Sequence, residues 1–210
     1  MKRQQDNSTF QHKVELRREA LAILADKGIE RPIIMETHGG TGKLFDALYA
    51  HLDRGVVFEK DEAKSAILGK QRPTWAVYEC DCVVAIKGGV GGHLPIDLLD
   101  VDPWGSVWEI IEAFFTSGRQ FEDTMIVVVN DGLRQCLSLG KAWDVKMMKP
   151  MVRKYGNDLH PIYLDVCRDM MSGIVAHAQY TLSHFAGFYC GKNQANTHFL
   201  AVLDRPSVDV

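Results

Sequence analysis

Apolar residues along this chain alternate between short unbroken runs and longer segments in which they recur every three or four positions. The runs PIIMET (32–37), GVVFEK (55–60), WAVYEC (75–80), PIDLLDVD (95–102) and TMIVVVND (124–131) predict five buried strands. Between them, TGKLFDALYAHLD (41–53), DEAKSAILG (61–69) and GSVWEIIEAFFTSG (105–118) have helical spacing. Strands that are apolar throughout and alternate with helices predict a parallel sheet covered on both faces, an α/β doubly wound fold. Beyond Asp131 the pattern is helical to about Gln179, followed by YTLSHFAGFYC and THFLAVLD joined by GKNQAN. That last pair predicts an antiparallel hairpin closing a mostly parallel sheet.

An N-terminal helix is expected before the first strand. Asn7 or Ser8 caps it, Val14, Leu21, Leu24 and Ala25 share its apolar face, and Gly28 ends it. Lys13, Arg17 and Arg18 fall on its other face and read as solvated charges. Residues 1–30 are therefore expected to pack as a helix on one domain spanning 31–210.

Composition narrows the class without choosing the chemistry. The chain has 210 residues, of which 46% are hydrophobic and 24% charged, enough for one domain with a sizeable core. No apolar stretch reaches the ~18 residues of a membrane span, and the first residues are polar, so no membrane partner is expected. The five cysteines include no CxxC pair, and the histidines (His160, His177, His184 and His198 among them) have no metal spacing. Neither a zinc site nor a disulfide framework is expected, and a reducing cytoplasmic setting fits. With a net charge of −3, nucleic-acid binding would need a local basic patch, for which Lys141, Lys146, Lys149, Arg153 and Lys154 are the candidates.

The chemistry concentrates in METHGGTGKLFD (35–46). A P-loop is excluded because Thr37 stands where its first glycine belongs and Leu44 where its hydroxyl residue belongs. The dinucleotide fingerprint is excluded too, since Gly39, Gly40 and Gly42 cannot be aligned to its spacing. An acidic residue at a strand end followed by spaced glycines resembles the E/D-x-G-x-G-x-G motif of class I S-adenosylmethionine-dependent methyltransferases. Glu36, Gly40 and Gly42 match that motif, and His38 stands at its first glycine.

The resemblance implies S-adenosylmethionine as cofactor, held by Glu36, His38, Gly39, Gly40, Thr41 and Gly42. It also implies that Glu59, seventeen residues beyond Gly42 with Lys60 beside it, accepts the ribose hydroxyls, and that Asp81, next to Cys82, meets the adenine. A plain strand-end charge at Glu59 and a helix cap at Asp81 are the structural alternatives.

The fourth strand ends in Asp102-Pro103-Trp104-Gly105-Ser106. This is similar to the D-P-F-G-S motif of tRNA guanine N2-dimethyltransferases and to the motifs of other enzymes that methylate exocyclic amines of bases. The resemblance runs over roughly residues 32–130 plus the hairpin. It implies that Asp102 and the Pro103 carbonyl accept the amine hydrogens while Trp104 stacks on the base. A nucleic-acid substrate, RNA before DNA, is the expectation the same resemblance suggests without requiring it. Asp97 and Asp100 offer a second acidic group, with Asp100 nearer the edge of the sheet. Asn130-Asp131, at the end of the fifth strand, is a candidate substrate contact or a helix cap. The glycines of GGVGG (88–92) read as a connector, with a lid as the alternative. An NAD-linked oxidoreductase and a catalytically silent binding module remain the rival functions, and the oligomeric state is open.

Overall fold

Strands β1 (Ile34–Glu36), β2 (Gly55–Glu59), β3 (Ala76–Glu79), β4 (Leu98–Val101) and β5 (Thr124–Asp131) carry the five apolar runs and pair in parallel. Strands β6 (Thr181–Cys190) and β7 (Asn196–Asp204) form the antiparallel hairpin, and β7 also pairs antiparallel with β5. The seven-stranded order is β3-β2-β1-β4-β5-β7-β6. The computed structural model describes residues 7–103, 105–138 and 146–206. The expected caps at Asn7 and Ser8 (by their side chains), the platform Trp104 and the basic Lys141 lie outside the described part.

Successive strand residues point to opposite faces, so each run feeds two cores. Met35, Val56, Leu99 and Val127 pack on one side, under α3 (Cys82–Lys87), α4 (Trp108–Thr116) and α7 (Tyr163–Ala176). Ile34, Val57, Leu98 and Ile126 pack on the other, under α1 (Asn7–Asp26) and α2 (Glu62–Gln71). Both faces are covered, which is why the runs contain almost no polar positions. The helix expected over 41–53 is shorter and wider than its spacing suggests. Lys43 and Leu44 open a π-helical turn, Phe45–Tyr49, that buries Phe45, Leu48 and Tyr49 together. Helix α3 was not evident from the pattern, because CVVAIK reads as apolar without a period. The Asp81 side chain starts it by accepting from the amides of Val83 and Val84. GGVGG follows as turns that close α3.

Helix α1 departs from expectation in a way that matters for function. Its buried face is Val14, Leu16, Arg17, Ala20 and Leu24, while Ala25 is exposed. Arg17 is therefore not a solvated charge. Its side chain is fully buried and holds Asp100 at the end of β4 with two parallel bonds, Nε to Oδ2 at 2.6 Å and Nη2 to Oδ1. Tyr49 donates to the same carboxylate at 2.9 Å. The neighbouring strand carries a matching pair: Glu36 lies in register with Asp100 and is bound by the buried guanidinium of Arg72. That guanidinium lies over the Phe45 ring, 4.2 Å from its centroid.

Arg17→Met leaves Asp100 buried without a cation and should destabilise the protein by about 3–5 kcal/mol. Urea unfolding measures it, and neutralising Asp100 as well (Arg17→Met with Asp100→Asn) should recover much of the loss. A single variant within ~0.5 kcal/mol of wild type, the range of ordinary surface changes, would contradict the anchoring role.

His198 of β7 stacks on Phe188 and, among the described residues, has no hydrogen-bond partner at either ring nitrogen. Burial, reinforced by Arg17 and Lys13, pushes its pKa down to about 3. The unfolded chain then binds a proton that the folded one refuses. The stability gained from the neutral ring is complete above pH ~6.5 and is lost as pH falls, by at most about 1.4 kcal/mol per pH unit. His198→Phe should remove that part of the acid sensitivity. Parallel pH-stability curves for variant and wild type would refute it.

Candidate active site

The carboxyl ends of β1, β2, β4 and β5 open onto a pocket of about 780 Å³. This is the edge where the strand order reverses, between β1 and β4, the usual ligand position in open α/β sheets. One wall is the glycine loop. Gly39 is buried so tightly between β2 and α2 that a Cβ would lie 2.5 Å from both Val57 and Leu68. Gly40 and Gly42 take positive φ values of 55° and 79°, and a Cβ on Gly40 would meet nothing within 4 Å. The loop thus presses close to the sheet at Gly39 and exposes bare backbone at Gly40.

Glu59, at the end of β2, bends its carboxylate back to the loop. Oε2 accepts from the Gly40 amide at 2.8 Å and Oε1 from the Asp61 amide at 2.9 Å. A carboxylate has about four lone-pair positions, so each oxygen keeps one for a ligand hydroxyl. His38, Gly39, Gly40, Thr41 and Glu36 line the same pocket. Glu36 is nonetheless mostly an internal group. It is 2% exposed, and burial raises its pKa against the opposing pull of Arg72.

Asp102 and Pro103 line the pocket across from the glycine loop. The Asp102 carboxylate is held by three hydrogen bonds from two donor groups: Lys13 Nζ reaches Oδ1 at 2.7 Å and Oδ2 at 2.6 Å, and Asn130 Nδ2 reaches Oδ1 at 2.5 Å. One position on Oδ2 is left for a further donor. Lys13 stands one helical turn before Arg17, so the same helix face that anchors Asp100 also supplies the cation to Asp102. Thr9 and Phe10, from the first turns of α1, complete that wall. The N-terminal helix is part of the pocket, not an outer covering.

Several expected residues stand elsewhere. Asp100 does not line the pocket. It is 1% exposed and occupied by Arg17 and Tyr49, so the second acidic role foreseen for it is corrected to that of an internal anchor. Asp97 accepts from the Ile33 amide at the start of β4. Asp81 caps α3, Lys60 is exposed with its ammonium 3.8 Å from Asp81, and Cys82 is buried, its thiol pushed up to about 12 by desolvation. None of these three lines the pocket. Asp131 is sealed against Tyr163 and bonds the Leu133 amide at the start of α5 (Leu133–Ser138), whereas Asn130 faces the site.

Lys146, Lys149, Arg153 and Lys154 are exposed on and beside α6 (Lys149–Tyr155) and do not reach the pocket. Met147 and Met151 of that segment line a separate groove with Phe115 and Phe121. Among the described residues, no group of three or more His, Cys, Asp or Glu side chains could hold a metal, and no helix is long and apolar enough to cross a membrane.

Three residues that matter were missed by sequence reasoning. Lys13 and Arg17 were assigned to solvent, and Arg72 was not singled out. One signal pointed to a cation partner: an aspartate embedded in an apolar strand cannot stay ionised without one.

No model of a known protein family matches the chain, and no curated protein matches it in sequence. Solved structures do resemble it. One is Trm1 from Pyrococcus horikoshii in complex with S-adenosyl-L-methionine, with a TM-score of 0.66, 14% identity and 91% of this chain covered. The chain spans 55% of that protein. A second is the putative methyltransferase yhhF of Escherichia coli, with a TM-score of 0.54 and 15% identity over 92% of this chain and 88% of that one. A third is the N-methyltransferase NodS of Bradyrhizobium japonicum bound to S-adenosyl-L-homocysteine, at 0.59 and 11% identity over 94% and 87%. At these identities the likeness is one of architecture: the chain has the class I methyltransferase fold, a parallel sheet with an antiparallel hairpin at one edge.

Proposed function

We propose that this protein is an S-adenosylmethionine-dependent methyltransferase acting on an exocyclic amine of a nucleobase, in RNA rather than DNA. The observation that carries the reading is the pairing of two carboxylates across one pocket. Glu59 lies against the glycine loop with lone pairs to spare, and Asp102 lies opposite with one acceptor position open. The first suits a ribose diol. The second suits an N–H. S-adenosylmethionine, when bound, supplies a methyl group on a sulfonium, and the bare backbone at Gly40 gives its adenosine room to lie against the loop. The fold likeness to Trm1 with S-adenosyl-L-methionine and to the N-methyltransferase NodS supports the same reading.

The chemistry asked of the chain is modest. An aromatic amine is a weak nucleophile because its lone pair is spread into the ring. Oδ2 of Asp102 takes one N–H and the Pro103 carbonyl the other, which turns the lone pair out of the ring plane. Lys13 and Asn130 hold Asp102 in one orientation, so little reorganisation accompanies the reaction. Trp104, next in the chain, is the stacking surface for the base that the DPWGS stretch implies.

Cofactor binding is tested first. S-adenosylhomocysteine should raise the melting temperature, as any ligand selective for the folded state does. Glu59→Ala should abolish most of that shift, and an unchanged shift would remove Glu59 from the site. Catalysis is tested with labelled S-adenosylmethionine and pools of RNA and DNA. Asp102→Ala should lower turnover by about 10²–10³ while cofactor affinity stays near wild type, since the contact is made chiefly in the transition state. Near-normal turnover in that variant would contradict the amine mechanism.

A further inference from the structure

We propose that His38, at the first glycine position of the loop motif, is the general base that receives the proton of the methylated amine. This rests on the methyltransferase reading above and adds a catalytic residue to it.

Hydrogen accounting fixes the tautomer. The Thr37 hydroxyl lies 3.1 Å from the Asp100 carbonyl oxygen and 3.1 Å from His38 Nδ1. The carbonyl can only accept, so the single hydroxyl hydrogen goes to it. The second contact then requires Nδ1–H to donate to the Thr37 oxygen. In the neutral ring this leaves Nε2 as the acceptor, on a residue that lines the pocket together with Asp102 and Pro103. Thr37 is itself 1% exposed and tied to Asp100 by its backbone amide, so the ring is held by a rigid partner.

The other acceptors at the pocket are already engaged. Asp102 is bound by Lys13 and Asn130. Glu59 is engaged by two amides. The Pro103 carbonyl accepts hydrogen bonds but not protons. As the amine lone pair forms the C–N bond to the methyl carbon, the C–S bond breaks and its electron pair stays on sulfur. The nitrogen becomes cationic and acidic, and the N–H that faced the Pro103 carbonyl gives its proton to His38 Nε2, leaving imidazolium and a neutral methylamine whose remaining N–H stays on Asp102. The imidazolium then returns its proton to solvent through the open pocket.

Burial holds the ring neutral, pulling its pKa below the ordinary value, while Asp102, Glu59, Asp81 and Asp100 pull the other way. The base is therefore in its working form at neutral pH.

The test exploits the motif itself, because His38→Gly restores the glycine usual there and keeps the loop able to fold, and its S-adenosylhomocysteine affinity is measured beside its rate. Two readouts are needed. In the S-adenosylhomocysteine complex, nitrogen NMR of labelled histidine should show His38 with Nδ1 protonated and Nε2 bare at pH 7. The opposite tautomer, or an imidazolium, overturns the proposal without any substrate. With labelled S-adenosylmethionine and RNA, His38→Gly should lose about 10²-fold or more in rate, lose the acid limb of the wild-type pH profile, and regain rate when free imidazole is added. A variant with wild-type rate and pH profile, or with no imidazole rescue, overturns the base assignment while leaving the methyltransferase reading intact. Wild-type protein that labels no RNA overturns the substrate reading and, with it, the reaction His38 would serve.

Discussion

Two carboxylates buried side by side at the edge of a parallel sheet are the constraint on which the rest of this structure depends. Glu36 and Asp100 occupy paired positions on β1 and β4, and both are almost fully excluded from water. Left alone they would repel each other in a medium that barely screens them. Each is matched by its own buried arginine, Arg72 from the end of α2 and Arg17 from the middle of α1. Such pairs add little net stability compared with apolar packing, but removing one partner is costly. They therefore act as registration points: α1 and α2 cannot shift on the sheet without stranding a charge.

That registration carries over to the pocket. Because Arg17 fixes the rotation and height of α1, Lys13 one turn earlier meets Asp102, and Thr9 and Phe10 form a wall. Because Arg72 lies against Phe45, the π-helical turn after the glycine loop is packed in place, and Tyr49 reaches Asp100. The four acidic residues at the ends of β1, β2 and β4 thus divide into two kinds. Glu36 and Asp100 hold the frame, while Glu59 and Asp102 keep acceptor capacity for ligands. Burial and partner count draw that distinction, since the residue types are the same.

Much of the fold was legible in the sequence because the parallel sheet is buried on both faces, so the strands announce themselves as apolar runs. The closing hairpin was legible from its polar, glycine- and asparagine-containing loop. The glycine loop, Glu59 and Asp102, which line one pocket, stand out in the sequence because backbone freedom and strand-end charge leave local marks. Arg17 and Lys13 were misread for the opposite reason. A basic residue on a helix usually faces water, and their partners lie 83 and 89 positions away in the chain. Asp100 reads as a catalytic candidate in the sequence because nothing local reveals that an arginine covers it. Asp81 shows the same ambiguity in miniature: one carboxylate after a strand reads equally as ligand contact or helix cap, and here its bonds go to the amides of α3.

One pocket, walled by α1, brings the Glu59–glycine-loop side and the Asp102 side together. A crystal structure of the complex with S-adenosylhomocysteine tests this most directly. Methyl transfer here requires ribose hydroxyls on the Glu59 carboxylate, adenosine against Gly40, and the sulfur directed toward the space between His38 and Asp102, with α1 still held by Arg17. A ligand bound outside this pocket, or one whose sulfur faces away from Asp102, would contradict it.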